Sequence, residues 1–166
     1  AALDRARTAA IVATVVVGLQ TLLGGWTSTN YAAVACPDLP TCQGRWWPQG
    51  MDYKDAFVLW RGIDINYTGG VLEHPARVAI HFTHRLGAII ATLAVLFAAW
   101  LAIRRAPTTL VRNAGYWAVG ALSLQLWIAF AMILKAFPLW LATAHNAGAA
   151  LLLLAMLVLN RRLREA

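Results

Sequence analysis

Four long apolar stretches divide the chain, and each is close to the length that crosses a bilayer. They cover about 8–26, 77–103, 113–134 and 137–159, and a membrane-spanning helix needs about 20 apolar residues. The pattern predicts an all-α membrane protein with a single domain over 1–166. We expect a four-helix transmembrane bundle with up-down connections. One long extracytoplasmic loop, about 27–76, joins helices 1 and 2.

Charged residues separate to the two ends of this predicted bundle. If the spans alternate in direction, eight arginines fall on one side: Arg5, Arg7, Arg104, Arg105, Arg112, Arg161, Arg162 and Arg164. The long loop holds five of the seven acidic residues: Asp38, Asp52, Asp55, Asp64 and Glu73. Because cytoplasmic loops carry the excess of Arg and Lys, both termini are expected in the cytoplasm. The expected location is a bacterial inner (plasma) membrane, multi-pass, with the long loop periplasmic.

Composition agrees with a membrane protein. Hydrophobic residues make up 60% of the chain and charged residues only 13%, against about a quarter charged in ordinary globular domains. The net charge of +7 does not indicate nucleic-acid binding, because the basic residues lie at helix ends and form no stripe. Membrane lipid is the expected partner. The chain starts with Ala-Ala-Leu-Asp and no Met, which is compatible with a segment of a longer protein.

Two histidines lie inside apolar spans, where an imidazole is costly and usually functional. His84 and His145 each lie seven residues inside a span that enters from the outer side, roughly 10 Å below its end at 1.5 Å per residue. Each is followed three residues later by a glycine, Gly87 and Gly148, which leaves room for a flat group. Two imidazoles at one depth on antiparallel helices predict bis-histidine heme ligation. The alternative for each is a buried histidine that bonds only to a neighbouring helix.

Other polar residues near these histidines leave alternatives open. His81 lies one turn above His84 and is an alternative ligand or a group lining the site. Arg85 and Arg77 are candidates for pairing with heme propionates, although snorkelling to the interface is the plainer role for Arg77. The outer-loop His74 is expected to be solvated. Two glutamines within the first and third spans are explained by interhelical hydrogen bonds and are assigned no chemistry: Gln20 and Gln125.

The only two cysteines, Cys36 and Cys42, share the long loop in the segment Cys-Pro-Asp-Leu-Pro-Thr-Cys. A structural disulfide is the expected state on an oxidising outer face. A redox role for the pair is the alternative. A zinc site needs more donors nearby, and a catalytic dithiol more often has two intervening residues.

Three blocks of sequence resemble the heme A synthase family. They are Leu23-Gly24-Gly25-Trp26-Thr27-Ser28, then Cys36-Pro37-Asp38-Leu39-Pro40-Thr41-Cys42-Gln43-Gly44, then His84-Arg85-Leu86-Gly87-Ala88. Their order and spacing relative to four spans also match, so the resemblance covers nearly the whole chain. Members of that family are membrane oxidoreductases that convert the C8 methyl of heme O to the formyl of heme A for terminal oxidases.

The resemblance implies a half-size chain. Family members usually have eight spans in two homologous four-helix halves, and each half presents one histidine on its second and one on its fourth helix. These positions match His84 and His145, and the family's loop cysteines match Cys36 and Cys42. The substrate half of the family has a catalytic glutamate where this chain has His81. The resemblance therefore points to the C-terminal half, which holds a heme b, with heme O and heme A as possible substrate and product of the whole enzyme.

Partners and alternatives follow from that comparison. We expect a missing N-terminal half or a homodimer that rebuilds eight helices, and possible links to heme O synthase and terminal oxidase assembly. A non-enzymatic b-type electron-transfer or oxidase-assembly subunit is the second hypothesis. A quinone-linked thiol oxidoreductase using Cys36 and Cys42 is the third.

Overall fold

The computed structural model of the chain describes residues 2–166, and the described residues are helical apart from their connections. The helices are α1 (Ala2–Thr29), α2 (Tyr53–Ala56), α3 (His74–Arg104), α4 (Thr109–Leu134) and α5 (Leu139–Glu165), with a 3-10 turn at Ala33–Ala35. Within residues 2–166 the only strand-like pairing is an isolated bridge between Cys42 and Arg45. Four helices are long and apolar enough to cross a membrane, which confirms an all-helical protein with four spans.

α3 and α4 both start before the apolar runs of the sequence, and local features at each start account for this. Thr108 precedes α4, and its hydroxyl accepts a hydrogen bond from the backbone N–H of Val111. Pro75 occupies the first turn of α3, where a missing N–H costs nothing. As a result α3 starts at His74, three residues before the predicted start at 77, and includes a turn of the expected loop.

The four long helices are arranged as a ring. The neighbouring pairs are α1 with α3, α3 with α4, α4 with α5, and α5 with α1. α3 and α5 are therefore diagonal to each other across the interior. In such a ring the diagonal helices are separated by about 1.4 times the 8–10 Å spacing of packed neighbours, which leaves space between them.

One end of the ring, which we call the packed end, is filled by small and branched apolar side chains. They come from the start of α1, the end of α3, the start of α4 and the end of α5, and include Ala6, Ala10, Ala13, Val17, Val95, Ala98, Val111, Ala118, Leu152, Met156, Leu159 and Leu163. Small residues let membrane helices approach closely. Asn160 on α5 also donates to the carbonyl of Ala10 and the hydroxyl of Thr14 on α1.

The opposite end, the histidine end, is covered by residues 30–73. Two small apolar clusters attach this connection to the start of α3. One surrounds Ile80 and includes Ala32, Ala56 and Leu72. The other surrounds Phe82 and includes both cysteines, and the Trp47 ring meets Phe82 edge to face with centroids 5.0 Å apart.

Candidate functional site

His84 and His145 lie on the two diagonal helices, α3 and α5, at the histidine end. The imidazole of His84 rests against the backbone of α1: a Cβ added at Gly24 would lie 3.1 Å from His84 Cε1. The order of the helices around the bundle therefore places the two histidines that the sequence singled out on helices that face each other diagonally across the interior.

The depths of the two histidines, counted from the helix starts, differ from the sequence estimate. His84 lies ten residues after the start of α3 and His145 six residues after the start of α5, or about 15 Å and 9 Å along each helix at 1.5 Å per residue. The offset arises because the first turn of α3 projects into the outer connection.

A glutamine from the neighbouring helix accompanies His84. Gln20 Nε2 on α1 lies 3.0 Å from His84 Nδ1, and it donates to the backbone carbonyl of the same residue at 2.8 Å. The other ring nitrogen, Nε2, has no hydrogen-bond partner among the described residues. That nitrogen is therefore available for a ligand.

A matching pair lies on the other side of the ring. Gln125 Nε2 on α4 lies 3.4 Å from His145 Nε2 on α5. Among the described residues, two buried side-chain polar atoms have no hydrogen-bond partner, and both belong to this pair: Gln125 Oε1 and His145 Nδ1. An acceptor and a ring nitrogen of the same glutamine–histidine pair are thus left unsatisfied. The interhelical hydrogen bonds that the sequence predicted for Gln20 and Gln125 are confirmed, since each amide contacts a histidine on a neighbouring helix. The identity of these partners was not predicted, because it depends on which helices are neighbours.

The two glycines that follow the histidines make room for these glutamines. A Cβ at Gly87 would collide with Gln20 Oε1, and a Cβ at Gly148 would collide with Gln125 Oε1. The space that the sequence predicted for a flat cofactor is therefore occupied, at the Cβ position itself, by a side-chain amide. That these glycines also contact a cofactor stays a prediction.

His81 is engaged at both ring nitrogens. Nδ1 lies 3.1 Å from the carbonyl oxygen of Ala32, and Nε2 accepts from Arg85 Nε at 3.3 Å. The residue is only 5% exposed, and the Phe137 ring meets it edge to face. His81 therefore joins α3 to the segment that follows α1. Of His81 and His84, only His84 has a ring nitrogen without a partner among the described residues.

Arg85 attaches to α3 the loop that Cys36 and Cys42 close, which we call the disulfide loop. Its Nη1 donates to the carbonyls of Asp38 at 2.8 Å and Thr41 at 2.7 Å, and its Nη2 donates to the carbonyl of Cys36 at 2.6 Å. The guanidinium of this half-buried arginine is thus surrounded by backbone carbonyl dipoles. Propionate binding by Arg85 stays a prediction, with most of its donors already used.

Arg77 lies near an open cavity at the outer surface. Its Nε donates to the carbonyl of Leu72 at 2.8 Å. The cavity has a volume of about 350 Å³, and its lining includes Tyr31, Arg77, Met132 and Phe137. The position is compatible with either of the roles expected for Arg77, namely an anion partner or a residue of the membrane interface.

The loop between the cysteines is closed and internally bonded. Cys36 and Cys42 form a disulfide with a Cα–Cα distance of 4.7 Å, as the sequence predicted. Burial favours the neutral form of Asp38, but the Thr41 hydroxyl and the amides of Gly44 and Gln43 donate to its carboxylate. These bonds outweigh burial and lower its pKa below the ordinary 3.8. The exposed His74 lies 2.6 Å from Gln43 Nε2 at the edge of this loop.

The donor set fits a heme better than a protein-only metal site. Among residues 2–166, no three His, Cys, Asp or Glu side chains cluster as metal ligands. A heme needs only axial ligands from the protein, because the porphyrin supplies the other four nitrogens. The available Nε2 of His84, the unsatisfied Nδ1 of His145 and the diagonal placement of their helices meet that requirement.

These features define a multi-pass helical membrane protein with a pair of histidines inside one end of its bundle. The Cytochrome oxidase assembly protein family (COX15-CtaA) matches residues 1–157. The chain belongs to this family.

Two relatives agree with that assignment. The chain is 41% identical to the heme A synthase of Shewanella oneidensis over 141 residues, covering 85% of this chain and 42% of the relative. It is 34% identical to the heme A synthase of Paracoccus denitrificans over 132 residues, covering 79% and 31%. The chain thus spans less than half the length of these relatives. No solved structure matches it.

Proposed function

We propose that this chain is the heme-b-holding half of a heme A synthase-type oxidoreductase. The observation that supports this proposal best is the placement of His84 and His145 on diagonal helices, at the end of the bundle that residues 30–73 cover. His84 and His145 would hold the iron of a bound heme through their imidazoles. Bound heme supplies reversible one-electron chemistry, and the chain's own residues orient the ligands and exclude water.

The whole enzyme, in this proposal, oxidises the C8 methyl of heme O to the formyl of heme A in a partner half. That oxidation releases electrons to an acceptor outside this chain, and a heme held by His84 and His145 would supply one-electron transfer toward that acceptor. His81 supports the assignment of substrate oxidation to the partner half and of electron transfer to this chain. It stands where the substrate half of the family has a catalytic glutamate, and both its nitrogens are used in packing.

The missing portion is the other four-helix half or a second copy of this chain. The relatives are more than twice as long as the matched region, which supports a partner half. Heme O synthase and the terminal oxidase assembly machinery are further proposed partners, since one supplies the substrate and the other consumes the product.

The proposed orientation follows the charges. The eight arginines named above lie at the packed end, because the helix directions place the start of α1, the α3–α4 connection and the end of α5 there. By the positive-inside rule this end faces the cytoplasm of a bacterial inner membrane, and the disulfide loop faces the periplasm.

The first test is the absorption spectrum of the purified chain reconstituted with heme b. We expect a low-spin, bis-histidine b-type spectrum that is lost in His84→Ala and in His145→Ala. His74→Ala is the matched control, because His74 is exposed at the edge of the disulfide loop, and it should keep the wild-type spectrum. A chain that folds but gives no bis-histidine spectrum, or gives one that survives both ligand substitutions, contradicts the proposal. Chromatography of the heme extracted from native membranes identifies which heme is resident.

A b-type electron-transfer or oxidase-assembly subunit without substrate chemistry is the second candidate. The absence of a carboxylate at position 81 favours it. Conversion of heme O to heme A, measured with the chain alone and with the other half added, separates the two. The thiol oxidoreductase hypothesis is disfavoured, because Cys36 and Cys42 are 0% and 1% exposed; it requires turnover that depends on both cysteines and not on His145.

A further inference from the structure

Three arginines around the α3–α4 connection, at the packed end, have no anionic partner in the chain. Arg104 ends α3, Arg105 follows it, and Arg112 lies in the first turn of α4. All three are exposed. Among the residues that the structure describes, their guanidinium groups form no ion pair and no hydrogen bond. No acidic residue lies between Glu73 and Glu165, so α3, α4 and their connection contain none.

The two acidic residues that the packed end does have are engaged elsewhere. Asp4 lies 3.7 Å from Arg7 Nη1 on the same helix. Glu165 accepts from Arg161 at 2.7 Å and from Arg162 at 3.0 Å. The positive charge at the α3–α4 connection is therefore uncompensated within the described part of the chain.

An open cavity lies on the outward face of α4, next to this connection. It has a volume of about 310 Å³ and is lined by Asn113, Tyr116, Trp117 and Gly120. These residues are spaced at i, i+3, i+4 and i+7, so they share one face of the helix, and all four are exposed. Gly120 forms a notch in this face, because a Cβ added there would meet nothing within 4 Å.

The length of the cavity matches one leaflet of a bilayer. Gly120 lies eleven residues after the start of α4 at Thr109, or about 16 Å along the helix at 1.5 Å per residue. The hydrocarbon core of a bilayer is about 30 Å thick, so the cavity extends over about half of it. The acyl chains that reach the cavity therefore belong to the leaflet whose headgroups lie beside the arginines.

We propose that the α3–α4 connection and the α4 cavity together bind an anionic phospholipid. Arg104, Arg105 and Arg112 bind its phosphate, and one acyl chain lies along α4 in the notch at Gly120. Guanidinium groups match phosphate oxygens in a bidentate geometry, and basic residues just beyond the end of a membrane helix attract anionic lipid. A zwitterionic lipid carries its own cation beside the phosphate and gains less from the same arginines. The inference does not depend on the proposed heme site.

The test is the quenching of Trp117 fluorescence by brominated lipids in vesicles that contain the full chain. One series carries dibrominated phosphatidylglycerol, which is anionic, and the other carries dibrominated phosphatidylcholine, which is zwitterionic, with the total phosphatidylglycerol fraction equal in both. The difference between wild type and Trp117→Phe isolates the Trp117 signal. We expect half-maximal quenching of Trp117 at a mole fraction of brominated phosphatidylglycerol at least fivefold lower than that of brominated phosphatidylcholine.

Trp127 is the matched control within the same helix. It is 65% exposed and lies ten residues further from the arginines, so its signal, isolated with Trp127→Phe, should not distinguish the two lipids. Quenching of Trp127 in each variant also shows that the variant is inserted in the bilayer.

A charge variant tests the arginines. Arg112→Gln should raise the half-maximal mole fraction of brominated phosphatidylglycerol about fivefold, since each arginine near an anionic lipid contributes about 1 kcal/mol. Arg5→Gln is the control, because Arg5 is exposed at the packed end but lies on α1, diagonal to α4. It removes the same charge and should leave the lipid preference of Trp117 unchanged.

A cavity variant tests the notch. Gly120→Leu fills the cavity without changing any charge and should weaken the binding of phosphatidylglycerol beside Trp117. Gly18→Leu is the control, because Gly18 lies on α1 and a Cβ there also meets nothing within 4 Å. It should have no effect on Trp117 quenching.

Three results would overturn the proposal. The first is equal half-maximal fractions of the two lipids at Trp117 in wild type. The second is a loss of preference in Arg5→Gln as large as in Arg112→Gln, because general attraction by the whole arginine cluster then explains the preference. The third is a Trp117 that neither lipid quenches while Trp127 is quenched, which shows that another protein segment covers α4. None of these results changes the absorption spectrum of bound heme, so the heme proposal is tested separately.

Discussion

At the packed end, alanines and leucines fill the space between the four long helices, whereas at the histidine end the same helices turn histidines, glutamines and glycines toward one another. The packed end includes fully buried residues such as Ala10, Val95, Met156 and Leu159. The histidine end has partly buried imidazoles and two unsatisfied polar atoms. Close packing in the first region carries the stability of the bundle, and this allows the second to be polar and open.

The difference indicates that stability and ligand chemistry depend on opposite ends of this small membrane bundle. Helix association in lipid depends on packing and interhelical hydrogen bonds, since lipid chains are as apolar as leucine. The packed end supplies both through its small residues and Asn160. A substitution there should change stability without changing ligand chemistry, and the reverse should hold at the histidine end.

The largest expected effect is that of Leu159→Ala at the packed end. Leu159 is fully buried, so its truncation leaves a cavity and should lower the free energy of unfolding by roughly 2–5 kcal/mol. The heme spectrum of the folded fraction should be unchanged. Denaturant or thermal unfolding in detergent, followed by absorbance, measures both quantities.

Leu157→Ala is the matched control for that prediction, because Leu157 lies on the same helix and is 51% exposed. Leu157→Ala should lower the free energy of unfolding by much less than Leu159→Ala. A shifted heme spectrum in Leu159→Ala without loss of stability would show that the two ends are not separate.

A smaller effect is expected for Arg85→Ala at the histidine end. The variant removes the donors to three loop carbonyls, at a cost of about 1–3 kcal/mol for acceptors that lose a charged partner. The disulfide loop should become sensitive to protease, while the bis-histidine spectrum should persist if the histidines alone hold the iron.

Arg45→Ala is the control for Arg85→Ala, since Arg45 is exposed on the same loop and its backbone alone pairs with Cys42. Cleavage rates that rise equally in both variants contradict a specific role for Arg85. Loss of heme in Arg85→Ala with an intact loop supports propionate binding instead.

The smallest effect concerns pH and the carboxylate of Asp38. Its pKa is below 3.8 in the folded chain, so the stabilising contribution is complete above pH 3.8 and disappears as the pH falls through the folded pKa. Protease sensitivity of the loop should rise only in that acid range. In Asp38→Asn the pH dependence should vanish. A transition near neutral pH assigns the effect to another group.

The four candidate spans could be predicted because they depend on a pattern in the sequence, and the role of the two span histidines stays a prediction. Runs of apolar residues define a membrane helix, and an imidazole within one is conspicuous. The contacts of Arg85 could not be predicted, because they are made to backbone carbonyls of an irregular loop. Every residue has a backbone carbonyl, so the sequence does not distinguish the ones that accept. The pairing of Gln20 with His84 depends on the helix order in the ring, and a one-dimensional pattern does not specify which neighbours share a face.

The ring order has one more consequence. α3 and α5 lie diagonally across the bundle, so the width of the gap between them is determined by α1 and α4. A bulkier side chain at the α1–α3 or α4–α5 contact therefore alters the distance between His84 and His145 without touching either histidine. In the proposed heme site this distance governs axial coordination, so evolution or engineering is able to tune it from helices that carry neither histidine.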